Sequence, residues 1–227
     1  MIRAVAVCPQ PPLLFRELAG THDAAAALRA ACHRAVADVL AASPDAVVVV
    51  GGAEASASWD AALDPGPGVF GGPPGTARGR LPLSLGIGRR LLAEAGWAGP
   101  VELRGVAWDA SQAEVEALGE ELAARDGDPV LLVLGEGSAR RGDKAPGYVD
   151  ERAFGFDSET GRALAEGDPA GLLGQDAGLA GELMAGGRAA LQVMAAAVRA
   201  QGGTPQATVG YSDDPFGVMY FVTTWRL

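Results

Sequence analysis

Apolar residues in this chain alternate between short β-rich runs and longer segments of helical period, a pattern that predicts an α/β fold. Ile2 to Cys8 and Ala46 to Val50 read as strands buried on both faces, and Val101 to Ala107 and Pro129 to Leu134 as two more. Between the first two, Asp23 to Ala42 sets Leu28, Cys32, Ala35, Val36, Val39 and Leu40 on one helical stripe, with Thr21 or Asp23 as cap. Arg29, His33 and Arg34 fall away from that stripe, toward solvent. Ser84 can cap a second helix ending near Gly96, and Ser111-Gln112-Ala113-Glu114 is a capping box that opens a third, with Val115, Leu118 and Leu122 inward. Weaker helical pieces fill Asp157 to Glu182. Gly187 to Gln201 is a better helix, with Leu191, Met194 and Val198 on one face and Gly202-Gly203 as its stop. Two closing strands, about Ala207 to Tyr211 and Gly217 to Trp225, are joined by a short link. They predict an antiparallel pair at the end of an otherwise mainly parallel sheet. No internal repeat or linker interrupts the pattern, so residues 1–227 read as one domain.

Composition narrows the function classes. Among 227 residues, 48% are apolar and 20% charged, which suits a globular chain. A net charge of −10 argues against a nucleic-acid binder, because phosphate neutralisation needs clustered Lys and Arg. No apolar run reaches the roughly 18 residues of a membrane span, and prolines from Pro9 onward break up any signal-peptide layout. A cytoplasmic protein is expected. Cys8 and Cys32 lack metal spacing and read as reduced core thiols. His22 lies at a helix entrance and His33 on a solvated face, so neither is placed for chemistry.

The candidate chemistry lies just beyond the strand ends, where open α/β sheets hold their sites. Gln10 stands among prolines after the first strand and Glu54 follows the second. Gly135 to Gly142 follows the fourth, and Asp213 and Asp214 follow the fifth. A Ser-His-Asp triad lacks a placed histidine, and Gly135-Glu136-Gly137-Ser138 is not the G-x-S-x-G elbow. Gly137 to Lys144 is one residue off a phosphate-binding loop, with Asp143 intruding before the lysine. Weaker anion binding by this glycine-rich backbone with Arg140 and Arg141 stays open beside a plain tight turn. Glu54, Asp213 and Asp214, with Gln10, form an all-oxygen set that would suit Mg or Mn, although the aspartates also suit an ordinary acidic turn. The Pro65 to Arg80 loop reads as a lid or as a surface insertion.

Several stretches together resemble a known family. Cys8-Pro9-Gln10-Pro11-Pro12-Leu13-Leu14 is similar to the P-H-P-P-L-L opening of class III extradiol ring-cleavage dioxygenases of the LigB type. The likeness is greatest to uncharacterised actinobacterial members, and Memo-like proteins share the fold more distantly. It continues through Leu81 to Leu85 with Gly88 to Leu92, Gly135 to Arg141, Gly147 to Asp150 with Gly155 to Asp157, and Pro215 to Val222. The resemblance implies a three-layer α/β/α sandwich with a mixed, mainly parallel central sheet. It also implies an Fe(II) site of two histidines and a carboxylate, a further histidine as acid/base, and in some members a second subunit. Here Gln10 stands where the first histidine would be, and Ala53 or Glu54 where the second would be. Ser138-Ala139 stands where relatives have Ser-His, and the third ligand matches only the Tyr211 to Asp214 region. Without those imidazoles the 2-His-1-carboxylate triad cannot form, and the proton shuttle has no suitable group.

The expectation is therefore a LigB-like protein without the iron site or any other cofactor, and without ring cleavage. Its pocket would be floored by Gln10, Glu54, Glu136, Ser138, Tyr211 and Asp213, with Arg140 available to an anionic ligand. It would bind a small molecule or a protein partner, and a homo-oligomer stays open. The alternative is an enzyme of altered chemistry that activates water on Mg or Mn held by Glu54, Asp213 and Asp214.

Overall fold

The computed structural model describes residues 1–63, 66 and 79–227. Its strands are β1 (Ala4–Cys8), β2 (Val47–Ala53), β3 (Ala57–Trp59), β4 (Val101–Ala107), β5 (Val130–Leu134), β6 (Gln206–Asp213) and β7 (Tyr220–Arg226). Its α-helices are α1 (Ala26–Leu40), α2 (Leu83–Glu94), α3 (Gln112–Ala123), α4 (Arg152–Glu166), α5 (Pro169–Leu173), α6 (Ala177–Glu182) and α7 (Arg188–Gln201).

The seven strands among the described residues form one mixed sheet in the order β3-β4-β2-β5-β1-β7-β6. The central four, β4, β2, β5 and β1, are parallel, while β3 at one edge and β7 beside β1 run antiparallel to their neighbours. Because β1 and β5 are buried throughout, alternate residues feed two separate cores. Val5, Val7, Leu131 and Val133 pack toward α3 and α7, with Phe221 and Trp225 of β7 in the same layer. Ala4, Ala6, Cys8, Leu132 and Leu134 pack toward α1 and α2. The result is the expected three-layer α/β/α sandwich. Among the described residues, no helix is long and apolar enough to cross a membrane.

The connections position the site. After β1 the chain leaves through α1 and passes beyond β5 to β2; after β5 it leaves on the opposite face, through α4 to α7, and returns as β6 at the far edge. Adjacent parallel strands whose connections diverge leave a crevice between their C-terminal ends. Gln10 and Glu136 lie at its two sides.

The structure corrects several local expectations. Ser84 does not cap α2: its side chain is fully buried and Oγ donates to the Gly52 carbonyl at 2.7 Å, tying the helix to β2. Neither Thr21 nor Asp23 caps α1. Asp23 accepts instead from Arg29 Nη1 at 2.6 Å, and Arg29, expected in solvent, is buried where its guanidinium also donates to the Leu13 and Leu14 carbonyls. That guanidinium holds the proline-rich turn after β1 in place. Three-residue β3 is too short to show a period, and the Gly51-Gly52 pair hid the last part of β2. α4 begins at Arg152 rather than near Asp157. The Ser111–Glu114 capping box and the stop of α7 at Gly202, with φ of 79°, are found as predicted. Cys8 and Cys32 are both free and buried, in contact with each other. Of the 65–80 loop only residues 66, 79 and 80 are described, so the lid reading lies outside the described residues.

Candidate functional site

Tight backbone packing fixes the segment after β5. The Gly135 N–H donates to the Cys8 carbonyl at 2.9 Å, joining the ends of β5 and β1. A side chain at Gly135 would strike the backbone of Gly187, and one at Gly137 would strike Asp157 and Met219. Gly187, the N-cap of α7, donates to the Glu136 carbonyl at 2.9 Å. Gly135 and Gly187 admit a close backbone approach and Gly137 makes room for the Asp157 and Met219 side chains; between them the one side chain left is Glu136, which opens partly into the crevice.

Across the crevice the Gln10 backbone N–H donates to Glu136 Oε2 at 3.2 Å. Burial pushes the Glu136 carboxyl up to about 7, opposed by that single N–H. The Gln10 side chain is only 5% exposed, and its Oε1 is buried with no hydrogen-bond partner among the described residues. A third wall comes from Trp108, which follows β4. Its indole lies over Gly52, where any Cβ would overlap the six-membered ring. Its carbonyl accepts from Arg188 Nη2 at 2.8 Å, which anchors the backbone while the side chain stays 45% exposed. The three groups meet above Gly186. From the point a Cβ would occupy there, Gln10 Nε2 is 3.5 Å away, Trp108 Cζ3 3.8 Å and Glu136 Oε1 4.0 Å. On the β7 side, burial and then the charges of Glu136 and Tyr211 raise the Tyr220 phenol.

The other predicted residues separate. Ser138 is fully buried, but its hydroxyl and backbone N–H both donate to Asp157, away from the crevice. Burial raises Asp157, against those two hydrogen bonds and Arg141. Arg141 bridges Asp157 (3.3 Å) and Asp214 (2.6 Å) and lies over the Phe154 ring at 4.5 Å. The anion-loop reading is thereby corrected. Besides Gly135 and Ser138, the N–H groups of Gly137, Ala139 and Arg141 donate to Met219, Leu183 and Gly217 carbonyls. Those amides are already engaged. Arg140 turns to the Tyr148 carbonyl and lines a shallow groove with Asp143 and Met184 that neither Gln10 nor Glu136 reaches. Tyr211 sits near Asp213 and Asp214, whose charges add to burial in raising its phenol.

Glu54 is exposed beyond β2, and Asp213 ends β6. Four strand spacings separate β2 from β6, about 19 Å at the usual spacing, so Glu54, Asp213 and Asp214 do not converge on one cation. Among the described residues no three His, Cys, Asp or Glu side chains are grouped to hold a metal ion. His22 is exposed before α1, and His33 lies on the surface of α1 with Nε2 2.9 Å from Glu94. The donor set at the sheet edge therefore does not fit a two-histidine iron site.

Two contributors were missed in the sequence. Trp108 follows β4 just as Glu54 follows β2, so the strand-end rule could have found it. Gly186 carries no chemistry of its own, and only its place beneath the three side chains marks it.

No protein-family model matches the chain, and no curated protein matches it. Among solved structures it is similar to the crystal structure of an uncharacterised protein from Escherichia coli K12. The likeness has a TM-score of 0.54 at 14% identity over 99% of this chain and 100% of that one. At that identity the likeness shows the fold alone, a mixed α/β sheet with helices on both faces.

Proposed function

We propose that this chain is a cytoplasmic LigB-like protein that has given up the iron site and ring cleavage, and binds a small organic ligand in the crevice between β1 and β5. The observation that carries this reading is the convergence of Gln10, Trp108 and Glu136 on one point above Gly186. Its position at the divergence of two connections is where ligands bind in open α/β sheets. Gln10 Nε2, the carboxamide atom 3.5 Å from that point, adds a hydrogen-bond donor beside the Glu136 carboxylate. The function of ring cleavage has no support from the donor set: a carboxamide replaces imidazole, and Ser138 is turned to Asp157.

The test is an amide NMR screen of a chemically mixed fragment library. Binders should move the Trp108 indole and Gly186 signals, and Gly186→Leu should remove those changes. A library that leaves both signals unmoved would defeat the reading. Elemental analysis of protein offered Fe(II), Mn(II) and Zn(II) anaerobically should find metal well below one equivalent; near-stoichiometric iron would restore the iron enzyme.

A further inference from the structure

The two ends of the Gln10 carboxamide face different surroundings. Oε1 is sealed inside the fold, while Nε2 lies 3.5 Å from the point a Cβ would occupy on Gly186. Gln10 donates once, from its backbone N–H to Glu136 Oε2, so the Nε2 protons have no acceptor among the described residues. On the facing wall Glu136 Oε1 stands 4.0 Å from the same point, and no described residue donates to it. A free donor and a free acceptor thus border one gap without bonding to each other. Arg188, which runs beneath Trp108, does not enter that gap: it donates to the Trp108 and Ala110 carbonyls and to Gln192 Oε1. The third wall is flat and apolar, the six-membered ring of Trp108, with Cζ3 3.8 Å from the shared point.

Resting on the binding reading above, we infer that the crevice takes a planar amide, a primary amide or a lactam. Its carbonyl oxygen accepts from Gln10 Nε2, its N–H donates to Glu136 Oε1, and its flat body lies against Trp108. An amide carries an acceptor and a donor on neighbouring positions of one plane, the complement of a donor and an acceptor on facing walls. The bond to Glu136 ends on a carboxylate, the stronger kind of hydrogen bond. Neither Nε2 nor Oε1 has a protein partner to give up, so the ligand displaces only water from them. A flat body against the indole adds apolar burial. Other head groups fit less well. An ammonium has no acceptor for Nε2, a ketone has no donor for Glu136, and a carboxylate meets the Glu136 charge with Arg188 already engaged.

The test compares four probes that share one phenyl ring: benzamide, acetophenone, benzoate and benzylammonium. Each is titrated into 15N-labelled protein at pH 8, where the Glu136 carboxyl, at about 7, is ionised and can only accept. Benzamide should shift the Trp108 indole, the Gly186 amide and the Gln10 side-chain amide saturably. Acetophenone, with a methyl where benzamide has its NH2, should bind at least about tenfold more weakly, and benzoate and benzylammonium should also bind more weakly than benzamide. Glu136→Met keeps the length of the side chain and removes the acceptor, so it should bring benzamide down to the level of acetophenone. Gln10→Leu, which removes Nε2, should weaken both. If another probe matches benzamide, if Glu136→Met keeps the preference for benzamide over acetophenone, or if library fragments move these signals and benzamide does not, the amide inference falls while the binding reading survives. If no probe and no library fragment moves them, both fall.

Discussion

Replacing Glu136 by Gln removes a titrating group from the crevice without changing its shape, and the effect on stability follows from one number. Burial moves the carboxyl from 4.5 to about 7 on folding. Between those values the unfolded chain has released its proton while the folded protein still holds it, so the folded state binds more protons and stability falls as pH rises. Below about 4.5 both states are protonated and the penalty vanishes; above about 7 both are ionised and it is complete. A gap of about 2.5 pH units, at 1.36 kcal/mol each, corresponds to ~3 kcal/mol. The wild-type protein should therefore lose about 3 kcal/mol relative to Glu136→Gln between pH 4.5 and pH 8. Urea unfolding of both proteins across that range measures it. Every other carboxylate is common to the pair, so the difference isolates Glu136 where the sites do not interact. A difference that stays flat with pH would show that the folded carboxyl titrates normally, and that the crevice is wetter than its packing implies.

Two further substitutions probe the walls and the frame. Gly52→Ala places a methyl inside the Trp108 ring while the Trp108 backbone stays held by the Ala53 carbonyl and Arg188. The indole should swing into solvent, with a red-shifted emission component, a stability loss of about 1 kcal/mol and loss of the fragment-induced shifts at Gly186; an unmoved Trp108 in the variant would contradict this. Gly119→Ala, in the middle of α3, would overlap Ala196 and press on Ala197 N at 2.8 Å and Val193 O at 2.9 Å. Despite about 1 kcal/mol of gain in helix propensity, it should cost ~1–2 kcal/mol net, read as a lower urea midpoint; an equal or higher midpoint would mean that α3 and α7 can move apart freely.

The fold was largely legible because its signals are local and repeated. Fully apolar runs with helical stripes between them can only be buried in layers, so β1, β2, β5 and the helices around them follow from pattern alone. What failed was polar. Ser84, Asp23 and Arg29 were given surface or capping roles by their spacing, yet each reaches a distant partner: Gly52, Arg29, and the carbonyls of Leu13 and Leu14. Hydrogen bonds across the fold leave no period in the sequence. The same limit divided the predicted pocket. Strand ends identify which residues lie at the C-terminal edge of a parallel sheet but not which strands are neighbours, and strand order depends on the whole set of crossovers. Gln10 and Glu136 come together because β1 and β5 are adjacent, although 126 residues separate them. Glu54 and Asp213 drift apart because β5, β1 and β7 stand between their strands.

That strand order also decides which chemistry the edge can support. A metal needs three or more donors within one coordination sphere, and the paired ends of β1 and β5 supply one carboxamide and one carboxylate. Catalysis by a general base alone needs a proton-bearing substrate held against Glu136, and the carboxyl, at about 7, is suited to accept a proton only once something occupies the crevice beside it. The Gln10 oxygen is buried with no hydrogen-bond partner among the described residues, while Nε2 is the carboxamide atom that faces Gly186. A Gln10→Leu variant makes this concrete: it removes the orphan acceptor and leaves the Gln10 backbone N–H on Glu136. If the oxygen is unpaired in the folded protein, that variant should gain about 1–3 kcal/mol of stability from the lost desolvation penalty, read as a higher urea midpoint. A variant that loses stability would show instead that the carboxamide already has a structural partner in the folded chain.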